Sequence, residues 1–132
     1  MIRLLGLLVF ASVCFAQAPA SLRGKLIQQD GKDPVIESGG HRISLEADDD
    51  TLAVLRDERL NNADVEVEGH PKSAAAFVVN GTQTHPVFVW RNGKRLYVTY
   101  WCNVCYIRTY KPGNCWCCQK YTDLDLRESL DE

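Results

Sequence analysis

No serine in this 132-residue chain sits in a nucleophile elbow, and no glycine pair has the strand–loop–helix context of a phosphate cradle. Serine-based acyl transfer and phosphate-loop nucleotide binding therefore have no sequence basis. The three histidines, His41, His70 and His85, stand far apart and lack a second ligand at metal spacing, so they read as surface or strand-end residues. Glu66 and Glu68 share one strand face and are expected to be solvated, because acid/base work needs a cleft that holds both carboxyls. Asp48, Asp49 and Asp50 lack EF-hand spacing and read as a helix start, not a calcium loop. No apolar run reaches the about 20 residues that span a bilayer. The longest, over residues 4–15, follows a single basic residue, Arg3, and ends in small residues. That layout predicts a secretory signal peptide over 1–18, cleaved after Ala16 or Ala18. A buried or anchoring N-terminal helix is the alternative. A lipid anchor on Cys14 fits less well, because Val13 is larger than the small residue expected before it. The expected location is periplasmic or secreted, with no transmembrane segment after signal removal.

The remaining chain of about 115 residues is enough for one modest hydrophobic core. Formal net charge is −2, but the charges are unevenly spread. Residues 21–70 carry twelve acidic and six basic side chains, whereas residues 91–120 carry six basic ones and no acid. Nine of the twelve aromatic residues lie between positions 88 and 121. The chain has an acidic first part and a basic, aromatic, cysteine-rich second part.

The first part alternates short strands with turns. Residues 22–29 read as a strand that opens at Gly24, and residues 30–34 as a turn. Val35 and Ile36 lead to a second turn at Gly39-Gly40. Residues 41–47 alternate, with Ile43 and Leu45 inward and Arg42, Ser44 and Glu46 outward. Residues 48–60 read as one helix capped by Asp49 or Asp50. Its expected buried face is Leu52, Val54 and Leu55, with Arg56, Asp57, Glu58 and Arg59 solvated. Residues 63–70 alternate again, Val65 and Val67 inward, closed by Gly69 and Pro71, and residues 76–80 form another strand. Residues 82–85 make a polar connection. Residues 87–90 and 95–101 flank Asn92-Gly93, the strongest hairpin signal in the chain. Residues 120–127 offer a last strand, followed by an acidic tail at 128–132.

Three strands, a helix and two strands in about 60 residues match a small five-stranded barrel of the oligonucleotide/oligosaccharide-binding (OB) kind. The segments LRGKLI, GGHRISLEADDD, TLAVLRDERL and ADVEVEGH, followed by FVV, resemble the exported OB-fold proteins of bacteria over residues 22–80. The resemblance implies a β-barrel in the cell envelope. It implies no reaction, since that family's ligands are diverse.

Five of the six cysteines fall within seventeen positions, in the stretch WCNVCYIRTYKPGNCWCC. Cys102/Cys105 and Cys115/Cys118 have identical C-x2-C spacing, with nine residues between the pairs. Four thiolates on two such knuckles suit a closed tetrahedral zinc site, with no open position for substrate. Lys111-Pro112-Gly113-Asn114 can turn the chain back and bring the pairs together. The stretch resembles the zinc-ribbon class of four-cysteine modules. Cys117 departs from that pattern and is an alternative fourth ligand in place of Cys118.

Three competing readings stay open. Export favours disulfides, although two local C-x2-C bonds would stabilise little and the odd count leaves one thiol over. Trp101-Cys102-x-x-Cys105 invites a thiol–disulfide oxidoreductase, but the following residues favour strand and no βαβ unit surrounds the motif. Tyr106 stands where haem attachment would need histidine. Arg91, Lys94, Arg95, Arg108, Lys111 and Lys120, interleaved with Trp90, Tyr97, Tyr100, Trp101 and Trp116, suggest single-stranded nucleic acid. Export and the negative net charge argue against that partner. The same residues also suit a small metal module, whose four thiolates leave about −2 charge on the site and whose core needs rings.

The resulting expectation is a mainly β protein with no enzymatic constellation. An OB-like barrel with one short helix occupies 21–85, and a hairpin with a four-cysteine zinc module occupies 86–127. Cys102, Cys105, Cys115 and Cys118 would hold structural Zn2+. The partner is an unidentified envelope ligand or protein.

Overall fold

A computed structural model describes residues 20–131. The expected signal peptide over 1–18 lies outside the described residues. Five strands form a closed barrel: β1 (Ala20–Ile27), β2 (Val35–Ser38), β3 (His41–Glu46), β4 (Asp64–Ser73) and β5 (Ala76–Val79). Their order around the barrel is β1-β2-β3-β5-β4, and β4 returns to β1. All pairs are antiparallel except β3–β5, in which Leu45 lies beside Phe77. The mainly β, OB-like architecture expected from the element order is therefore present.

Barrels need corners, and glycine supplies two of them. At Gly24, β1 begins to pass from β4 to β2; Lys25 is opposite both Asp64 and Glu37. A Cβ on Gly24 would stand 2.3 Å from the Glu37 carbonyl oxygen. At Gly69, β4 meets β5, and a Cβ there would stand 1.9 Å from the Val78 carbonyl oxygen. Strand β4 runs on past Pro71, where the expected strand ends; the register with β5 shifts between Pro71 and Ser73, an irregularity that accommodates a residue without an N–H.

The segment between β3 and β4 differs from the single helix expected over 48–60. Helix α1 spans Asp49–Leu55, and a separate 3-10 turn spans Glu58–Leu60. Asp48, not Asp49 or Asp50, is the cap: its carboxylate accepts from Thr51 N–H at 2.8 Å and from the Thr82 N–H and hydroxyl at 3.0 and 2.7 Å. The buried face is Thr51, Val54 and Leu55, with Leu52 only half-buried. The break at Arg56 sets Leu60 wholly inside and turns Asp57 inward as well. Asp57 is thus buried, contrary to its expected solvation. Its carboxylate is held by the Arg59 backbone N–H at 3.1 Å and guanidinium at 2.8–3.2 Å. Burial alone would raise the Asp57 carboxyl; the Arg59 hydrogen bonds win and hold it below its ordinary value.

After β5 and a 3-10 turn at Thr82–Thr84, the hairpin of β6 (Val87–Arg91) and β7 (Lys94–Cys102) forms as expected. Asn92 and Gly93 have φ of 52° and 74°, the left-handed pair that a two-residue type I′ turn needs. Strand β6 pairs with the first half of β4, so the hairpin grows directly out of the barrel wall. Strand β7 then carries β8 (Ile107–Thr109) on the same edge as β6, and β9 (Asp123–Arg127) on the other. One hydrophobic cluster joins Leu26, Leu45 and Val65 of the barrel to Val87, Val98 and Tyr100 of the extension. In the expected acidic tail, Glu128 bonds Lys94 at 2.6 Å. No helix among the described residues is long and apolar enough to cross a membrane.

Candidate metal centre

Strand β7 ends on Cys102, and the chain reverses at once. The Tyr106 N–H returns to the Cys102 carbonyl at 2.9 Å, with Tyr106 in the left-handed region at φ 54°. Strand β8 then pairs back, placing Ile107 opposite Cys102 and Arg108 opposite Trp101. The second pair repeats this design. The Gln119 N–H bonds the Cys115 carbonyl at 2.8 Å, and Gln119 has φ 64°. Each C-x2-C unit is a tight reversal that aims both of its sulfurs the same way.

The turn expected at 111–114 brings the two units together, with Gly113 at φ 144°. The Gly113 carbonyl accepts from the Thr122 N–H at 3.0 Å and hydroxyl at 2.9 Å, and Cys115 N–H bonds the Lys120 carbonyl at 2.7 Å. Arg59, having paired with Asp57, donates a further N–H to the Thr122 carbonyl at 2.9 Å. The second knuckle is thereby tied to the 3-10 turn of the barrel.

The sulfurs of Cys102, Cys105, Cys115 and Cys118 all lie within 4.8 Å of one another. Cys102 and Cys118 are 3.6 Å apart. Zinc–sulfur bonds of about 2.3 Å place the sulfurs of a tetrahedron about 3.8 Å apart, whereas a disulfide needs about 2.05 Å. The cluster has the dimensions of a metal cage, and all five described cysteines are free thiols. Cys118 belongs to the group of four; Cys117, the alternative fourth ligand, is exposed and is not one of the four. Cys102 and Cys115 are buried, Cys105 is half-buried and Cys118 is exposed, so the cage has a closed inner side and an open outer one.

No protein-family model matches this chain, and no curated protein or solved structure matches it either.

The sulfurs tune one another. The Cys105 N–H, 3.4 Å from the Cys102 sulfur, together with the Val104 N–H, brings the Cys102 thiol down to about 7 against the opposing effect of burial. The Cys105 thiol is pushed up, first by its contact with the Cys117 thiol and then by burial and by Cys118 and Cys115. At Cys118 the Lys120 N–H pulls downward, but burial and the Cys102 sulfur outweigh it and the thiol is raised. Crowded thiols resist ionising together unless a cation supplies the missing charge.

Four of the six basic residues expected near the cage are matched by acids from distant positions. Lys94 meets Glu128, Arg95 meets Glu66 and Glu68, and Lys111 meets Asp50 at 3.2 Å. Arg108 donates to Asp125 at 2.8 Å and to the Thr99 hydroxyl at 2.7 Å while stacking on Trp101. Lys120 bonds the Asn103 side chain at 2.9 Å, and Arg91 is exposed. Glu66 and Glu68 are therefore engaged, not simply solvated; Glu66 also accepts from Trp90 Nε1 at 2.9 Å. Of the rings expected to offer stacking faces, Tyr100 is fully buried, Trp90 lies under Arg23, Tyr97 packs on Phe88, and Trp116 alone is 71% exposed. His41 and His70 are exposed, while His85 packs on Tyr110 at 4.1 Å. None of the three joins the sulfur group.

Two supports of the site were not visible in the sequence. Tyr106 and Gln119 hold left-handed positions for which glycine would have been the signal. Arg59 reaches Thr122 across 63 residues of chain, a pairing with no local pattern.

Proposed function

We propose that Cys102, Cys105, Cys115 and Cys118 hold a structural Zn2+ ion, and that the protein is an exported, non-enzymatic binding or interaction module. The observation that carries the metal reading is the convergence of four sulfurs from two knuckles of the same backbone design. A closed S4 set suits zinc, which has no geometric preference of its own and accepts thiolates well. The ion would fasten the β7–β8 turn to the 111–121 loop, where little apolar packing is available: Val104, Tyr106, Trp116 and Tyr121 are all more than half exposed. These four exposed groups also support an interaction role for this end, because surplus apolar surface gathers where a protein meets something else. Export rests on Arg3, the apolar run at 4–15 and the small residues after it. The burial of Cys102 weighs against Cys102/Cys105 as an exchange pair, since a nucleophilic thiol must meet its substrate.

Cobalt titration tests the ligand set. One Co2+ per chain should give the visible and thiolate charge-transfer bands of a tetrahedral sulfur site. Cys102→Ser and Cys118→Ser should weaken or shift those bands, and Cys117→Ser should leave them unchanged. A spectrum that depends on Cys117 and not on Cys118 would overturn the assignment.

A further inference from the structure

The barrel closes its own edges, but the extension does not. Among the described residues, β8 and β9 each pair with one strand only, β7. Strand β8 has three residues and β9 has five, Asp123–Arg127. A strand bonded on one side leaves alternate N–H and C=O groups unpaired on the other. The register of β9 with β7 is unbroken from Asp123 to Arg127, and β9 contains no proline, glycine or lysine. The usual devices that blunt an open edge are therefore missing. The cleft beside β9 is lined only by residues 125–129 and 131, from both faces of the strand, so no other described element covers that side.

Side chains on β9 alternate between two faces. Leu124 and Leu126 pack against the core cluster but are only partly buried. Asp123, Asp125 and Arg127 lie on the opposite face, where Asp123 is exposed and the Arg127 side chain is 37% exposed. An acid stands at one end of this strand, a base at the other, and two leucines flank the middle. Reversed, the strand is its own complement.

We propose that β9 is the contact between two copies of this chain, paired antiparallel about a two-fold axis at Asp125. In that register Asp123 faces Arg127 of the partner subunit, and Leu124 faces Leu126 of the partner subunit. The axis repeats both pairs. Opposite charges and apolar groups directly across an antiparallel pair stabilise it. Directly opposite residues also belong to the same bonding class, so this register satisfies the outward backbone groups. Asp125 meets its own copy at the axis, which is repulsive. Each Asp125 already carries Arg108 at 2.8 Å and Arg127 at 3.6 Å, and these cations offset the repulsion. The self-complementary order favours a second copy over an unrelated extended segment. The inference needs neither the metal nor export.

The test measures the mass of the full purified chain by sedimentation equilibrium, in a phosphine reductant that keeps the exposed Cys117 from linking chains. A five-residue contact is smaller than the about 1,600 Å2 of a standard interface, so association should be reversible. Mass should rise from one chain to two between about 1 µM and about 1 mM. Asp123→Arg and Arg127→Asp, with folding checked by melting temperature, should each weaken association by about tenfold or more, because each sets like charges opposite one another. An equimolar mixture of the two variants restores an acid–base pair at both ends and should associate nearly as well as the wild type. Hydrogen exchange on the unmutated chain reads the same edge without any substitution: amides of 123–127 should slow at the top of the series. A chain that stays monomeric throughout would overturn the proposal. So would a dimer that neither variant weakens, a mixture no stronger than its components, or dimerisation without slowed exchange at 123–127.

Discussion

Replacing Arg59 with methionine should destabilise the whole protein more than its position on a short surface turn suggests. The Arg59 guanidinium is 31% exposed, but the Asp57 carboxylate it holds is only 3% exposed. Arg59→Met keeps the aliphatic stem and removes the guanidinium bonds to Asp57, together with the bond at 2.9 Å to Thr122. What remains is a buried carboxylate that has lost every guanidinium bond and keeps the Arg59 backbone N–H. Breaking a buried pair from one side costs about 3–5 kcal/mol. Against a typical total of about 5–15 kcal/mol, that is a large share. Asp57→Asn should cost less, about 1.5–3 kcal/mol, because it removes the charge along with its bonds. The double variant should then be milder than the sum, by about 1 kcal/mol or more of coupling. Urea unfolding followed by tryptophan fluorescence and far-UV circular dichroism reads all four proteins. A loss below about 1 kcal/mol in Arg59→Met, or strict additivity, would show that Asp57 is solvated and that the tie between turn and knuckle contributes little.

Gly69→Ala should cost roughly 2 kcal/mol or more, because the new Cβ would collide with the Val78 carbonyl at the barrel corner; an unchanged melting temperature would contradict that geometry. Tyr106→Gly and Gln119→Gly should each be neutral or stabilising by up to about 1 kcal/mol, since each relieves a left-handed residue; a marked loss of stability in either would argue against the knuckle backbone. Acid should destabilise the protein through Asp48 and Asp57, both held below the ordinary carboxylate range. Their contribution is fully present above the unfolded carboxylate value near about 4 and is lost as pH falls through the lower folded values. Stability against urea should therefore drop below about pH 4, and less so in Asp57→Asn. Removing metal with a chelator should expose the amides of residues 101–121 to hydrogen exchange while β1–β5 stay protected; simultaneous loss of both would contradict a separate fastening role for the ion.

The elements legible in the sequence were those with a local cause. Asn92-Gly93 requires left-handed backbone and so announced its hairpin. The alternation of Val65 and Val67 announced a half-buried strand. The equal C-x2-C spacings announced the knuckles. What stayed hidden depended on partners far along the chain. Residues 48–60 contain no proline or glycine to divide them, and nothing local says that the helix stops at Arg56. It stops because burying Leu60 and pairing Asp57 with Arg59 are satisfied together only when the turn tightens. The basic stretch at 91–120 looked like a polyanion surface because its counter-ions, Asp50, Glu66, Glu68, Asp125 and Glu128, all lie outside it. The choice between Cys117 and Cys118 was likewise open in the sequence, because which sulfur lies near Cys102, Cys105 and Cys115 depends on how the reversal at 115–118 is folded.

The central claim is that the two knuckles carry a metal ion and not disulfides. Metal content and free thiols, measured on the same sample of the purified protein, address it directly. One zinc per chain is expected, with all five thiols of residues 102–118 reactive once the metal is chelated under denaturing conditions. A metal-free protein with a single free thiol would mean that two disulfides, not an ion, join this end of the chain.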